Sequence, residues 1–271
     1  MRPQPLADWP AAERAAIHGV ITDIDDTLTQ DGELMPQART ALAALEAAGV
    51  PVVAVTGRPV GGSLRWLQQG WPLLGIVAEN GAVALQRSPG GDVRRWYRTD
   101  EATRRQQHAQ LQAALAAVEA QVPGAHRAMD SAGRETDIAI DCREHRHLDD
   151  GQIAEVVALL RDRGLTVTVS SIHVNAWIGD HDKWAGACWA TELWLGRRLE
   201  RELEHWVFVG DSSNDAVMFE RMRHSVGVAN VARFLPLLPH PPRHLCKQER
   251  GAGFAELAQA VLVARAGTPM A

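Results

Sequence analysis

The 271-residue chain is long enough for one large domain or two modest ones, since domains commonly contain roughly 100–200 residues. Its composition, 46% hydrophobic and 23% charged, is ordinary for a globular protein with a substantial buried core. A formal charge of −5 gives no reason to expect nucleic acid or a membrane as a partner. It does not exclude an anionic substrate, because a bound metal ion reverses the local field.

Cysteine use and hydropathy predict a cytoplasmic, soluble protein. Cys142, Cys188 and Cys246 form neither a Cys-x-x-Cys pair nor a disulfide framework, so we interpret them as free thiols in a reducing compartment. Residues 1–19 contain prolines and charges and lack the apolar stretch of a secretory signal. No segment approaches the ~18 consecutive apolar residues that a membrane-spanning helix needs.

The first part of the chain alternates strand-like and helix-like segments joined by short connections. Continuous apolar strands with short connections predict a parallel sheet covered on both faces by helices. In chain order, the predicted segments are strand 18–24, helix 36–49, strand 50–56, helix 61–70 and strand 73–79.

The middle of the chain has a different pattern, which begins with hairpin signals at Asn80-Gly81 and at 89–91. Strands 135–142 and 172–178 alternate polar and apolar residues, which is typical of a half-covered antiparallel sheet. We therefore interpret 85–180 as an inserted α+β cap. The predicted elements are helix 101–121, strand 135–142, a helix around 150–163 and two paired strands ending near 178.

The first pattern returns at residue 183, so residues 1–84 and 181–271 are expected to form one discontinuous α/β core. The predicted fold is a doubly wound, Rossmann-like parallel sheet with an inserted α+β cap domain. The returning elements are helix 183–199, strand 205–210, a helix near 214–222, strand 224–229 and helix 252–265.

Four polar stretches stand at the ends of predicted core strands or at the starts of helices. In an open α/β sheet, ligands bind outside the carboxyl ends of the strands, near the point where strand order reverses. We therefore expect these stretches to meet at one rim. They are Asp-Ile-Asp-Asp-Thr (23–27), Val-Thr-Gly-Arg (55–58), Asp-Lys (182–183) and Gly-Asp-Ser-Ser-Asn-Asp (210–215).

The crowded carboxylates of these stretches indicate a site for a hard cation. Like charges at one rim repel, and burying an unpaired carboxylate costs several kcal/mol or forces it to bind a proton. Mg²⁺ prefers oxygen ligands and suits two or three carboxylates together with phosphate oxygens. No group of His and Cys has the spacing of a zinc site.

The order Asp-x-Asp-x-Thr, a strand ending in Thr, then Lys and Gly-Asp-x-x-Asn-Asp resembles the haloacid dehalogenase superfamily of aspartyl-phosphate phosphatases. The resemblance covers the core, about two thirds of the chain. The large insertion between the second and third motifs looks like the capped type IIB subgroup, which includes Cof-type and sucrose-phosphate-phosphatase-like enzymes. Four motifs in this order are far more specific than any one of them.

Chemistry and the resemblance agree on the roles of the first motif. Asp23 is the candidate nucleophile, whose carboxylate attacks phosphorus and forms an aspartyl-phosphate. Asp25 is the candidate general acid and base, which protonates the leaving alcohol and later deprotonates water. Superfamily members that need no such acid lack the second Asp, so its presence favours ester hydrolysis. Asp26 is expected to face solvent or to cap the following turn.

The remaining core motifs supply phosphate-binding candidates. Thr56 and the Gly57 amide can hydrogen-bond phosphoryl oxygens, and Lys183 supplies a fixed positive charge. Asn214 is expected to orient Lys183 or to bind a phosphate oxygen. Taken singly, each has a purely structural alternative: a strand-to-helix turn with a hydroxyl cap, or an ordinary lysine at a helix start.

The candidate Mg²⁺ ligands are the carboxylates of Asp23 and Asp211 and the backbone carbonyl of Asp25. Asp215 is expected to support the metal or its waters. An alternative for Asp211 and Asp215 is an N-cap and a first-turn acid that matches the helix dipole, a role compatible with metal binding.

Four further residues are candidates for substrate contact. His173 and Asn175 alternate with Ile172 and Val174, so one pair would pack on cap helices and the other face the core and substrate hydroxyls; a solvated polar face is the alternative. Asn80 lies at a favoured hairpin turn but follows a core strand. Arg58 is a candidate for contact with substrate or with an acid of the cap.

These features predict a Mg²⁺-dependent phosphatase for a small phosphorylated metabolite, a sugar phosphate in first place. One rival is a phosphotransferase or phosphomutase on the same scaffold, in which another hydroxyl replaces water. A rival of another class is a non-catalytic binding protein on the same fold. That rival predicts the loss of a catalytic residue, and Asp23, Asp25 and Lys183 are all present.

Overall fold

A computed structural model of the protein describes residues 2–267. The strands of this part of the chain are, in order, β1 (Gln4–Pro5), β2 (Gly19–Thr22), β3 (Thr29–Gln30), β4 (Glu33–Leu34), β5 (Val52–Val55), β6 (Gly75–Ala78), β7 (Val83–Arg87), β8 (Val93–Tyr97), β9 (His126–Arg127), β10 (Asp137–Asp141), β11 (Thr166–Val169), β12 (His173–Trp177), β13 (Trp206–Gly210), β14 (His224–Gly227) and β15 (His244–Leu245).

Most α-helices lie close to their predicted bounds, and side-chain caps mark several of their first residues. Asp100 accepts a hydrogen bond from the Thr103 amide, and Asp149 forms a capping box with Gln152. Two helices differ: the helix at 11–15 is not predicted, and the helix predicted over 183–199 ends at Leu195, because Gly196 adopts a left-handed conformation. In chain order, the helices are α1 (Ala11–Ala15), α2 (Pro36–Ala47), α3 (Val60–Gln68), α4 (Glu101–Gln121), α5 (Asp150–Arg161), α6 (Lys183–Leu195), α7 (Ala216–Arg221) and α8 (Arg250–Ala266).

The larger sheet has the spatial order β1–β15–β14–β13–β2–β5–β6–β7–β8. Its pairs from β1 to β6 are parallel, and the last two pairs, β6–β7 and β7–β8, are antiparallel. All residues of β2, β5, β6 and β13 are buried. Apolar side chains of α2, α3 and α8 cover one face, and those of α6 and α7 cover the other. The predicted α/β class with a doubly wound parallel sheet is confirmed.

A smaller antiparallel sheet, β11–β12–β10–β9, is made by the middle of the chain. Helices α4 and α5 pack on one of its faces around a separate apolar cluster. The alternation of polar and apolar residues predicts a half-covered sheet, but every residue of β10 and β12 is buried. The polar face is buried because it lies over the rim of the larger sheet.

The hairpin of β7 and β8 belongs to the larger sheet, whereas the sequence pattern assigns residues from 85 onwards to the insertion. The pairing arises because the turn after β6, with positive φ at Glu79, Asn80 and Gly81, returns the chain alongside β6. The division into a core of 1–84 and 181–271 and a cap of 85–180 stays a prediction. Sheet pairing favours a cap that begins after Tyr97.

The four central strands, β13, β2, β5 and β6, lie side by side and run parallel. Their carboxyl ends therefore meet at one edge, at the point where the chain departs from β2 in both directions. The residues that directly follow these ends are Asp211, Asp23, Thr56 and Glu79. None of the helices within residues 2–267 is long and apolar enough to cross a membrane.

Candidate active site

Lys183 lies between two carboxylates at this rim. Its Nζ is 2.6 Å from Asp23 Oδ1 and 2.7 Å from Asp215 Oδ1, and all three side chains are buried. The start of α6 is fixed by Asp182, which accepts a hydrogen bond from the Ala185 amide. Burial alone would lower the pKa of Lys183, but the two carboxylates raise it, so the ammonium stays charged. Burial raises the pKa of Asp23, and Lys183 opposes that rise.

The loop after β13 is organised around Asp215. Its Oδ2 accepts hydrogen bonds from the amides of Asp211 (2.9 Å) and Ser212 (3.2 Å). Ser212 and Asp215 also form a capping box, so Asp215 has the structural role of a first-turn acid that the sequence offered as an alternative. Gly210 is needed here because a Cβ would collide with the Asp215 carboxylate.

Asn214 lies in the same loop but does not hydrogen-bond Lys183, the first of its two expected partners, and its contact with a phosphate oxygen stays a prediction. Its Oδ1 accepts a hydrogen bond from the Ser212 hydroxyl at 2.8 Å. Within the described residues, the side chains that hydrogen-bond Lys183 Nζ are Asp23 and Asp215. The expected orienting contact to Lys183 is therefore made by Asp215, because its carboxylate, unlike the Asn214 amide, also neutralises the ammonium.

The acids of the rim fit a hard divalent cation. Asp23, Asp211 and Asp215 each bring one carboxylate oxygen within 4.8 Å of the others. Asp211 Oδ2 accepts a hydrogen bond from Asn230 Nδ2 at 3.1 Å, but its buried Oδ1 has no partner among the described residues. Burial, Asp23 and Asp215 all raise the pKa of Asp211. A buried carboxylate oxygen left free beside two other acids suits Mg²⁺, which prefers such ligands.

Thr56 and Gly57 form the turn between β5 and α3. The Thr56 hydroxyl oxygen accepts a hydrogen bond from the Arg58 amide at 3.0 Å, so the hydroxyl proton is free to point into the site. A Cβ on Gly57 would lie 3.0 Å from Asn175 Nδ2 and 3.1 Å from Asn80 Oδ1. The turn is therefore tightly enclosed by polar groups.

Arg58 joins Asp25 to the smaller-sheet region. Its Nε donates to both carboxylate oxygens of Asp25, at 2.9 and 3.0 Å, and its Nη2 is 2.7 Å from Glu144 Oε1. Partial burial raises the pKa of Glu144, but hydrogen bonds from His173 and Arg58 lower it to about 2. Of the two partners expected for Arg58, substrate or an acid of the cap, the second is present.

His173 and Asn175 lie on the face of the smaller sheet that covers the rim. Val174, between them in sequence, packs in the apolar cluster with α4 and α5. His173 Nε2 is 2.9 Å from Glu144 Oε2, and Asn175 contacts the Gly57 turn. Neither is solvated, because both are nearly fully buried. Their contact with a substrate stays a prediction.

Asp26 differs from its expected place in solvent or at a turn cap. It is half-buried, and its carboxylate lies 2.9 Å from Arg250 and 3.2 Å from Arg233. Its φ is positive, 54°, and its carboxylate faces Arg233 and the first residue of α8, Arg250. Asp26 therefore binds the first motif to the C-terminal part of the chain.

Two adjoining cavities lie above Asp23. The inner one, lined by Asp23, Gly57, Asn175 and Asn214 among others, has a volume of about 10 Å³, room for about one water molecule. The outer one has a volume of about 490 Å³, and Asp25 and Arg58 line both. The outer cavity has the size of a small-molecule site.

Two family models match this chain, one in its N-terminal part and one in its C-terminal part. Residues 20–113 match the model described as haloacid dehalogenase-like hydrolase, and residues 149–241 match sucrose-6F-phosphate phosphohydrolase. The chain belongs to the haloacid dehalogenase superfamily. Its inserted sheet and its second match place it in the capped type IIB subgroup of that superfamily. No curated protein matches the chain in sequence.

Solved structures of the superfamily share the fold at low sequence identity. Protein 0175 of Thermoplasma acidophilum is 16% identical, with a TM-score of 0.68 over 91% of this chain and 99% of that one. The sucrose-phosphatase of Synechocystis sp. PCC6803, solved with sucrose and phosphate, is 17% identical, with a TM-score of 0.64 over 90% and 97%. A HAD subclass IIB sugar phosphatase is 14% identical, with a TM-score of 0.61 over 90% and 98%.

The superfamily motifs do not include a second buried polar group beside the Thr56–Gly57 turn. Glu79 is fully buried and accepts hydrogen bonds from the amides of Val60, Glu135 and Thr136. Its place directly after β6 is the signal by which the sequence indicates it. Asp137, also buried in this group, lies on the polar face of the alternating strand 135–142, whereas Arg134 carries no comparable signal because it precedes that strand.

Proposed function

We propose that the protein is a Mg²⁺-dependent phosphatase that hydrolyses a small phosphomonoester through an aspartyl-phosphate on Asp23. The observation that carries the proposal is the contact of Lys183 with Asp23 and Asp215 beside the free oxygen of Asp211. This arrangement offers a nucleophilic carboxylate, a fixed ammonium and oxygen ligands for a cation in one buried place.

In the proposed reaction, a carboxylate oxygen of Asp23 attacks phosphorus while the bond from phosphorus to the leaving oxygen breaks. Asp25 protonates the departing alcohol and then takes a proton from the water that attacks the aspartyl-phosphate. The second attack releases inorganic phosphate and restores Asp23. Lys183 and the Thr56 hydroxyl hold the phosphoryl oxygens, with the Gly57 amide and Asn214 as further donors.

The carboxylates of Asp23 and Asp211 and the carbonyl of Asp25 would hold Mg²⁺. Asp215 supports them through the Asp211 amide, since both of its own oxygens already have partners. When bound, Mg²⁺ supplies positive charge to the phosphoryl oxygens.

We further propose that the substrate is a phosphorylated metabolite, with sugar phosphates as the first class to test. The match to a sucrose-6F-phosphate phosphohydrolase model and the likeness to sugar phosphatases support this choice. The outer cavity is lined by charged and polar side chains, which suits a hydrophilic leaving group.

A screen of phosphorylated metabolites with Mg²⁺ tests the proposal, with phosphate release as the readout and Asp23→Asn as the blank. We expect release from at least one ester by the wild-type protein and none above the blank by the variant. Wild-type protein that releases no phosphate from any ester, aryl phosphates included, would favour the non-catalytic binding protein. Product analysis separates the other rival, because a phosphomutase moves the phosphate and a hydrolase frees it.

A further inference from the structure

A buried arginine outside the superfamily motifs contacts the phosphate-binding turn. Arg134 Nη1 donates to the carbonyl oxygen of Gly57 at 3.0 Å and to Asp137 Oδ1 at 2.8 Å, and its Nε donates to Asp130 at 3.1 Å. Only 2% of the Arg134 side chain is exposed. We propose that Arg134 is a positioning residue that sets the Thr56–Gly57 turn for phosphate binding.

The contact restrains a single peptide group from both ends. The Gly57 carbonyl and the Arg58 amide belong to the same planar peptide. Arg134 binds the carbonyl end, while the amide end donates to the Thr56 hydroxyl oxygen at 3.0 Å. Because that oxygen accepts this hydrogen bond, its own proton points away from the Arg58 amide and is free to bind a phosphoryl oxygen. Arg134 thus orients the Thr56 hydroxyl, a hydrogen-bond donor to the phosphoryl group, without touching it.

The surrounding contacts fix the position of the Arg134 side chain relative to the Thr56–Gly57 turn. Asn80 Nδ2 donates to the other oxygen of Asp137 at 3.1 Å, so the partner of Arg134 is itself bound to the rim. Gly61 and Gly133 pack backbone to backbone, and a Cβ on Gly61 would lie 3.1 Å from Gly133 Cα. Buried ion pairs often stabilise no better than apolar side chains of similar volume. The buried Arg134 ion pair is therefore better explained by its effect on the orientation of the Thr56–Gly57 turn than by its contribution to stability.

The inference rests on the proposed function, because it assigns Arg134 a part in phosphate binding. The test compares Arg134→Lys with the wild-type protein, since a lysine keeps the charge but is shorter and lacks the Nε and Nη2 donors that bind Asp130. We expect the inhibition constant for orthophosphate and the KM to rise at least about tenfold. The Mg²⁺ concentration for half-maximal activity should stay within about twofold, because Arg134 contacts no proposed ligand.

A double variant, Arg134→Met with Asp137→Asn, keeps the test decisive if the single variant folds poorly, because it removes the buried charge pair as a unit. Arg127→Met is the matched control, since Arg127 is an exposed arginine of the same region that pairs with Glu119. Folded Arg134 variants with an unchanged orthophosphate inhibition constant and KM would overturn this inference but not the proposed function. An equal loss of affinity for Mg²⁺ and for phosphate would do the same. Wild-type protein that neither binds orthophosphate nor hydrolyses any ester would overturn the proposed function and the inference with it.

Discussion

At the scale of single residues, the site depends on one ammonium among three buried carboxylates. Lys183 neutralises Asp23 and Asp215 directly, while one oxygen of Asp211 remains free. Without a cation in this place the carboxylates would have to bind protons, because burial and mutual repulsion already raise the pKa of Asp23 and Asp211.

Lys183→Met should therefore destabilise the protein by about 3–5 kcal/mol, as expected when one partner of a buried ion pair is removed. Because Mg²⁺ would supply part of the lost positive charge, it should raise the Tm of this variant more than that of the wild-type protein. Thermal denaturation in EDTA and in Mg²⁺ measures both effects.

Lys247→Met is the control, since Lys247 is the other lysine of the chain and is exposed. Its Tm should stay close to that of the wild-type protein in both buffers. Equal Tm losses for Lys183→Met in EDTA and in Mg²⁺ would contradict the proposed cation site.

At the scale of elements, the turn after β5 requires a glycine at position 57, because there is little room for a side chain there. Gly57 lies against Asn175 of β12 and Asn80 of the turn after β6, so three elements meet at its Cα. Gly57→Ala would place a methyl group about 3 Å from both amides, which must then move. We expect an increase in KM of about tenfold or more, because small displacements of binding groups weaken catalysis strongly.

Gly62→Ala is the matched control in the helix that follows. The nearest atom to a Cβ there is Pro59 Cγ at 3.8 Å, an ordinary contact, and alanine favours helix. Steady-state kinetics should show an unchanged KM for this variant. A Gly57→Ala enzyme with wild-type KM would show that the turn tolerates displacement.

Secondary-structure elements and the polar residues at their ends are predictable from sequence when their signals are local. The bounds of α4, the apolar central strands and the polar residues after them all follow from patterns within about ten residues. The partners of Asp26 do not, because Arg233 and Arg250 are 207 and 224 residues away along the chain. Likewise, the burial of His173 and Asn175 depends on how one sheet lies over another, which no strand pattern encodes.

At the scale of the whole molecule, several polar contacts join the smaller sheet and its neighbouring loops to the rim, and two of them are made by glutamates. Glu144 binds Arg58 on one side, and Glu79 binds the segment at 135–136 on the other. They differ in exposure, since 22% of the Glu144 side chain is exposed and Glu79 is fully buried. The first contact is therefore sensitive to solvent and pH, and the second acts as a fixed junction.

Glu144 should make stability depend on acid. Its pKa is about 2 in the folded protein against an ordinary 4.5, so its stabilisation is present above pH 4.5 and is lost as the pH falls towards 2. Glu144→Gln should lower the free energy of unfolding at pH 7 by about 1 kcal/mol, a value reduced for solvent screening. Urea denaturation between pH 7 and 3.5 should show this difference shrinking with acid, whereas exposed Glu155→Gln should show no such trend.

Glu79→Gln probes the fixed junction. The Glu79 carboxylate accepts only, from the Val60 amide of α3 and from the Glu135 and Thr136 amides. A glutamine would place an NH₂ group against some of these donors, so buried amides would lose their acceptor at a cost of about 2 kcal/mol or more. Hydrogen exchange should then quicken at Val60, Glu135 and Thr136 together, because one group serves all three. Exposed Glu192→Gln should leave their exchange unchanged, and faster exchange at Val60 alone would mean that Glu79 does not couple the two regions.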